Sequence, residues 1–206
     1  MSIQPPTFDR AAAVVAVRKA VDESVAVKRE LAETCADRIA EAAELLVDCF
    51  GRGGKALLFG NGGSATDAQH IASELVVRLR RDRRAVPALA LGVSASDITA
   101  IANDWSFDQI FARLVEAHGE PGDVAIALST SGNSPNIVAA VEEARRSGLH
   151  IMALTGKGGG KIADLVDLEI RVPSSDTARI QESHITVGHL LCQLVEDSLF
   201  PEEGPP

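Results

Sequence analysis

Aromatic residues are scarce, at 3% of the 206-residue chain, and the 20 Lys and Arg are outnumbered by 29 Asp and Glu. A formal net charge of −9 with so few rings supplies neither the basic patch nor the stacking platform of non-specific nucleic-acid binding, so no nucleic-acid partner is expected. No apolar run approaches the roughly 18 residues that span a bilayer, and no membrane association is expected. The opening "MSIQPPTFDR" also lacks the basic and apolar regions of a signal peptide, which points to a cytoplasmic protein. Cysteine is nearly absent. Cys35, Cys49 and Cys192 form neither a CxxC pair nor an even framework, and each falls where a helix would bury a small apolar residue. The one local excess of positive charge, "RLRRDRRAV" from Arg78 to Val86, reads as a solvated helix end and loop.

What the chain does have is apolar content, 46% hydrophobic, enough for one full core. Leu31, Cys35, Ile39, Ala42, Leu46 and Cys49 recur at helical spacing, predicting an amphipathic helix to about Phe50. A separate, more weakly patterned helix is expected over Arg10 to Lys28. Together they are long for a simple lead-in, and residues 1–52 read as a helical interface arm of the same domain. After "GRGG" come the short apolar runs "KALLF", "PALAL", "DVAIALS", "HIMALT" and "LEIRV", separated by helical segments. Such runs read as parallel strands covered on both faces. Helices are predicted over Ser64 to Arg80, Trp105 to Ala117, Pro135 to Ser147 and Thr177 to Leu199, with a short turn near Lys161 to Leu165. The fold class is therefore α/β: a three-layer, doubly wound, five-stranded parallel sheet over residues 53–200, with a frayed tail at 201–206. Ligands of such sheets sit beyond the carboxyl ends of the strands, which directs attention to the loops after Phe59 and Leu128.

In the first loop Gly60, Gly62 and Ala65 match the G-x-G-x-x-A dinucleotide fingerprint, but no acid follows "PALAL" to hold a ribose. A Walker A loop is missing as well, because Gly54-Lys55 lies before the strand and "TGKGGGK" has no Ser or Thr after its Lys. A tight strand-to-helix turn remains the plain alternative for these glycines. The second loop, "LSTSGNSPNIV", sets Ser129, Thr130, Ser131 and Ser134 before a helix with Ser134 as N-cap and Pro135 at its first position. One hydroxyl suffices for a cap. Four, at a helix N-terminus whose dipole adds about 0.3–1 kcal/mol for an anion, make a phosphate site. The neutral donors fit a monophosphate better than a magnesium-bound triphosphate. His70 and Glu74 follow on the helix after the first loop, four apart and hence on one face.

The two loops, in this order on this strand pattern, resemble the sugar isomerase (SIS) domain family. "GNGGSATDAQHIASEL", "IANDWSFDQIF", "GDVAIALSTSGNSPN", "LTGKGGGKIAD" and "RIQESHITVGHLLCQLVE" are similar, in order and spacing, to the phosphoheptose isomerases within it. Thr66, Ile71, Ser73 and the loop "PSSDTARIQ" depart from the family pattern without touching a residue assigned to chemistry. The resemblance implies conversion of sedoheptulose 7-phosphate into D-glycero-D-manno-heptose 7-phosphate, at the start of activated-heptose synthesis. It implies one Zn2+ per subunit on His70, Glu74, Gln181 and His189, with Glu74 as base and His189 as partner acid/base. Asn61, Gly62, Gly63, Ser64, Asn103, Asp104 and Gln181 would hold the sugar hydroxyls, and Ser129, Thr130, Ser131 and Ser134 the phosphate. It further implies a homotetramer with sites between subunits. Gln181 and His189 are about 12 Å apart along one helix, so both reach one ion only by leaning together, and a zinc-bound carboxylate is a poorer base. Exchangeable metal occupancy is therefore expected. A non-catalytic SIS-domain regulator of replication initiation is the rival resemblance, discriminated by Glu74, and another ketose phosphate is an open alternative. His184 matches no family role and reads as packing or interface.

Overall fold

The computed structural model describes residues 8–201, so residues 1–7 and most of the expected tail, 202–206, lie outside the described residues. Five strands, β1 (Ala56–Gly60), β2 (Ala88–Ala90), β3 (Val124–Ser129), β4 (His150–Thr155) and β5 (Leu168–Arg171), fall on the five apolar runs. They pair in parallel in the order β2-β1-β3-β4-β5. Because side chains alternate along a strand, the runs feed two cores. Leu58, Ile126, Leu128, Met152 and Leu154 pack with the helices α1 (Arg10–Gly51), α2 (Gly63–Val76) and α6 (Thr177–Leu199). Leu57, Phe59, Ala125 and Ile151 face α3 (Ala95–Asp104), α4 (Ile110–His118) and α5 (Pro135–Arg146). Strand order reverses between β1 and β3, where Gly60 lies opposite Leu128. One chain leaves that point for α2 on one face and the other for α5 on the opposite face, which opens a crevice at the strand ends. No helix among the described residues is long and apolar enough to cross a membrane.

Four expectations change. The two N-terminal helices are one 42-residue helix, α1, capped by Asp9 accepting from the Ala12 N–H at 3.0 Å. Lys28, Arg29 and Glu30 contain no breaker, so nothing ends the first helix before the second begins. Its buried residues start at Leu31, and the preceding half leaves Val14, Val15, Val17, Val21 and Val25 exposed. The helix expected over Trp105 to Ala117 begins only at Ile110, after a 3-10 turn at Phe107–Gln109. Before it lies α3, unforeseen because it is only ten residues long and its apolar face rests on two large side chains, Ile98 and the buried Ile101. Helix α2 stops at Val76 rather than Arg80. Beyond it the basic segment is not simply solvated: the Arg83 side chain is 3% exposed and paired at 3.0 Å with Glu196, itself 2% exposed. A buried carboxylate has drawn the chain in.

The three cysteines are free and buried, as expected, and burial pushes the Cys49 thiol up to about 11 and Cys192 to about 12. They are packing residues, not nucleophiles. His184 is fully buried, with Nε2 at 3.0 Å from the Thr155 carbonyl. Burial depresses it to about 4, against the opposing pull of that carbonyl. The unfolded chain, with an ordinary imidazole, takes up this proton near pH 6.5, so acid favours unfolding. Stability is therefore complete above about pH 6.5 and falls as the pH drops toward 4, by about 3 kcal/mol from this residue. Thermal melts across that window should show the fall, and His184→Gln should flatten it. An equal slope in the variant would assign the acid sensitivity to other groups.

Candidate active site

The loop from β3 to α5 forms a cup. Ser134 occupies the N-cap position of α5 in an extended conformation, yet its side chain makes no capping bond, so the hydroxyl stays available to a ligand. Ser129 Oγ accepts from the Gly132 N–H at 3.1 Å, and Ser131 Oγ from the Asn133 N–H at 3.3 Å. Each of these hydroxyls spends an oxygen lone pair on the loop and keeps its proton for an anion. Gly132 sits at φ 63°, where a Cβ would fall 1.7 Å from the Gly159 carbonyl oxygen. Only glycine lets the cup rest on the 156–161 loop, which also closes on it through Lys161 N–H to Asn133 Oδ1 at 3.1 Å. A cavity of about 70 Å³ results, lined by Asn61, Ser64, Leu128, Ser129, Thr130, Ser131, Ser134 and Gln181.

The first loop is tied to the second by reciprocal amides: Asn61 Nδ2 donates to Asn136 Oδ1 at 2.9 Å, and Asn136 Nδ2 to Asn61 Oδ1 at 2.8 Å. Asn136, buried at the start of α5, is a site residue that the sequence reading missed. Gly63 opens α2 against α6, so closely that a Cβ there would lie 2.6 Å from Gln181 Nε2. Gly62 borders an adjoining cleft of about 150 Å³ with Asn61, Leu91 and Phe111 among its walls. Asn103 and Asp104 end α3 on the exposed surface, bonded to each other at 2.8 Å, and border neither cavity. A larger cleft, about 780 Å³, lies elsewhere, between α1 and the end of β5, and is lined by none of the candidate site residues.

At the far end of α2, His70, Glu74 and His189 come together, with one ligand atom from each within 4.8 Å of the others. His70 Nε2 is 3.1 Å from Glu74 Oε1 and 3.3 Å from His189 Nε2, and the two rings meet edge to face. Two Nε2 atoms at that distance cannot both carry a proton between them, so at least one lone pair points into the shared space. This is a site that could hold a metal ion. The Glu74 side chain is 22% exposed and that of His70 48%. One turn before His70, Asp67 Oδ2 is buried without a hydrogen-bond partner. Burial holds this carboxyl above the usual range, opposed by His70. Asp67 was not foreseen, although its spacing of three from His70 places it on the same face.

A family model for the SIS domain matches residues 21–156. The phosphoheptose isomerase of Thermodesulfovibrio yellowstonii is 51% identical over 184 residues, 89% of this chain and 92% of that protein. That of Rhodospirillum rubrum is 55% identical over 165 residues, covering 80% and 88%. Among solved structures, the phosphoheptose isomerase of Neisseria gonorrhoeae superposes with a TM-score of 0.84 at 41% identity, over 88% of this chain and 97% of its own. That of Francisella tularensis does so with a TM-score of 0.87 at 38% identity, over 90% and 98%. With the crevice between β1 and β3, the hydroxyl cup and the paired histidines all in place, the chain belongs to the phosphoheptose isomerase family of SIS-domain proteins.

Proposed function

We propose that the protein converts sedoheptulose 7-phosphate into D-glycero-D-manno-heptose 7-phosphate, with the seven-carbon chain lying along α2 and α6 from the hydroxyl cup to Glu74. The observation that carries this is the shared scaffold: α2 and α6 bring Ser64 and Gln181 to the cup at one end and His70, Glu74 and His189 together at the other. Ser129, Thr130, Ser131 and Ser134 hold the phosphate, and Asn61, Gly62, Gly63, Gln181, Asn103 and Asp104 the hydroxyls. Glu74 takes a proton from C1 of the ketose, leaving a cis-enediol, and returns it to C2, so one carboxylate serves both carbons and nothing is gained or lost overall. His189 moves the proton between O1 and O2. Glu74, beside the two histidines, is the acid that favours this reading over a non-catalytic SIS-domain binding protein.

Two imidazole nitrogens and a carboxylate oxygen form a donor set that catalytic zinc takes, and the family pattern makes Gln181 the fourth donor. When bound, the ion supplies positive charge to the enediol oxygens. We assign the chain to a homotetramer in which a neighbour covers each site. Support comes from Val76, Leu190 and Leu194, exposed on the same two helices, with Val77 just beyond α2, and from the bare valine stripe of residues 14–25 on α1, the arm of residues 1–52. Asn103 and Asp104, flanked by exposed Trp105 and Phe107, are then placed to serve a neighbouring site. The unpaired, buried thiols fit a cytoplasmic enzyme.

NMR of the products formed from a panel of ketose phosphates tests the assignment: the heptulose phosphate should be turned over fastest. Equal or faster conversion of a shorter ketose phosphate would assign another substrate. Ser131→Ala with Ser134→Ala should weaken binding of phosphorylated sugars by roughly 10- to 100-fold, with little discrimination by chain length. Calorimetry giving unchanged affinity would move the phosphate site elsewhere.

A further inference from the structure

Glu74 lies two residues before the end of α2 at Val76, in the last turn, where helix carbonyls lack intrahelical partners and the backbone frays. Arg83 supplies donors there. Its Nη2 donates to the Glu74 carbonyl at 2.9 Å, and its Nη1 to those of Leu75 at 2.8 Å and Arg84 at 3.1 Å. Its Nε donates to Glu196 Oε2 at 3.0 Å. Glu196 Oε1 also accepts from the N–H groups of Arg80 at 3.1 Å and Arg81 at 2.8 Å, and Oε2 from that of Leu79 at 3.3 Å. The Phe200 ring covers the guanidinium with its centroid at 5.5 Å. Glu196 follows His189 by seven residues on α6, so the two share a face about 10 Å apart along the axis.

Burial alone would raise the Glu196 carboxyl, but the donated N–H groups, led by that of Arg81, bring it below the usual range. The pair is therefore charged. A buried ion pair is a poor device for stability alone, since apolar residues of similar volume often serve as well. What an apolar pair cannot do is grip two particular carbonyls in a fixed direction. Here one of those carbonyls belongs to the proposed base itself, and the other end of the grip is the helix that carries His189.

We propose that Arg83, held by Glu196, is a positioning residue for the isomerisation: it fixes the last turn of α2 against α6 and so sets the Glu74 carboxylate over C1 and C2. This rests on Glu74 being the base. The four hydroxyls of the phosphate cup stand on the loop between β3 and α5, and the cup meets α2 at its opposite end, so the clamp acts on kcat and leaves sugar-phosphate binding nearly alone.

Steady-state kinetics of Arg83→Met, Arg83→Lys, Glu196→Gln and Glu74→Gln, each referred to folded protein by circular dichroism, provide the test. Arg83→Met should lower kcat by roughly 10- to 100-fold, the cost of about 1 Å of misplacement, with KM within about threefold. Arg83→Lys keeps the partner of Glu196 but reaches fewer carbonyls, and its kcat should fall between those of Arg83→Met and the parent protein. If Arg83→Met does not fold, Arg83→Lys and Glu196→Gln decide, each expected to lose kcat with KM preserved. Wild-type kcat in the folded variants, with only a lower melting temperature, would overturn the proposal while a dead Glu74→Gln leaves the base assignment standing. An active Glu74→Gln would overturn both.

Discussion

Glu74→Gln should lose at least about a thousandfold in kcat while melting within a few degrees of the parent protein and binding sugar phosphate with similar affinity. General-base catalysis contributes roughly 10²–10⁴-fold, and in the proposed mechanism the same group is needed twice, to remove the proton from C1 and to return it to C2. The substitution alters neither volume nor the helix, since the Glu74 backbone is held through its carbonyl by Arg83. The side chain loses its charge beside His70 at 3.1 Å, so any metal held by the cluster should bind more weakly as well. Affinity for the phosphorylated sugar, by contrast, belongs to the hydroxyl cup in the proposed arrangement. Turnover near the wild-type rate would remove Glu74 from the mechanism, and a collapse of binding together with rate would make it a ligand-holding residue instead.

The parts of this arrangement that sequence disclosed are those encoded locally. Parallel strands buried on both faces must be apolar throughout, so β1, β3 and β4 stood out as uninterrupted runs between turns. Their order placed two loops at one crevice, and a spacing of four put His70 and Glu74 on one helix face. The approach of His189 to His70, 119 residues away, was supplied only by resemblance, because nothing in a helical period states which helix it meets. The Asn61–Asn136 amide pair and the Arg83–Glu196 clamp were hidden for the same reason. A lone Arg among five in a basic run reads as solvated until the buried carboxylate that calls it inward is known. Continuity of α1 was lost differently. The half before Lys28 is rich in Ala and Val and has no fully buried residue, so its weaker pattern was read as a separate helix although residues 10–50 contain no Gly or Pro.

Mixing Glu74→Gln and His189→Ala chains, each inactive alone, should leave the mixture inactive even after full subunit exchange. If the active sites lie between subunits, the residues that cross the boundary are not these two. His70 Nε2 bridges Glu74 Oε1 at 3.1 Å and His189 Nε2 at 3.3 Å within a single chain, and a side chain from a neighbour has no need to replace either. Every site in a mixed tetramer would then lack the base or its partner. Residues that do not line their own chain's cavities behave oppositely. Asn103 and Asp104 border neither the cup nor the adjoining cleft of their own chain, so Asp104→Ala chains mixed with Glu74→Gln chains should regain part of the activity, at sites that draw Glu74 from one and Asp104 from the other. Recovery in the first mixture would overturn the single-chain assignment of the base and its partner. Failure of the second, with exchange verified by native mass spectrometry, would confine the site to one chain, and a monomer in light scattering at micromolar concentration would dismiss the tetramer itself.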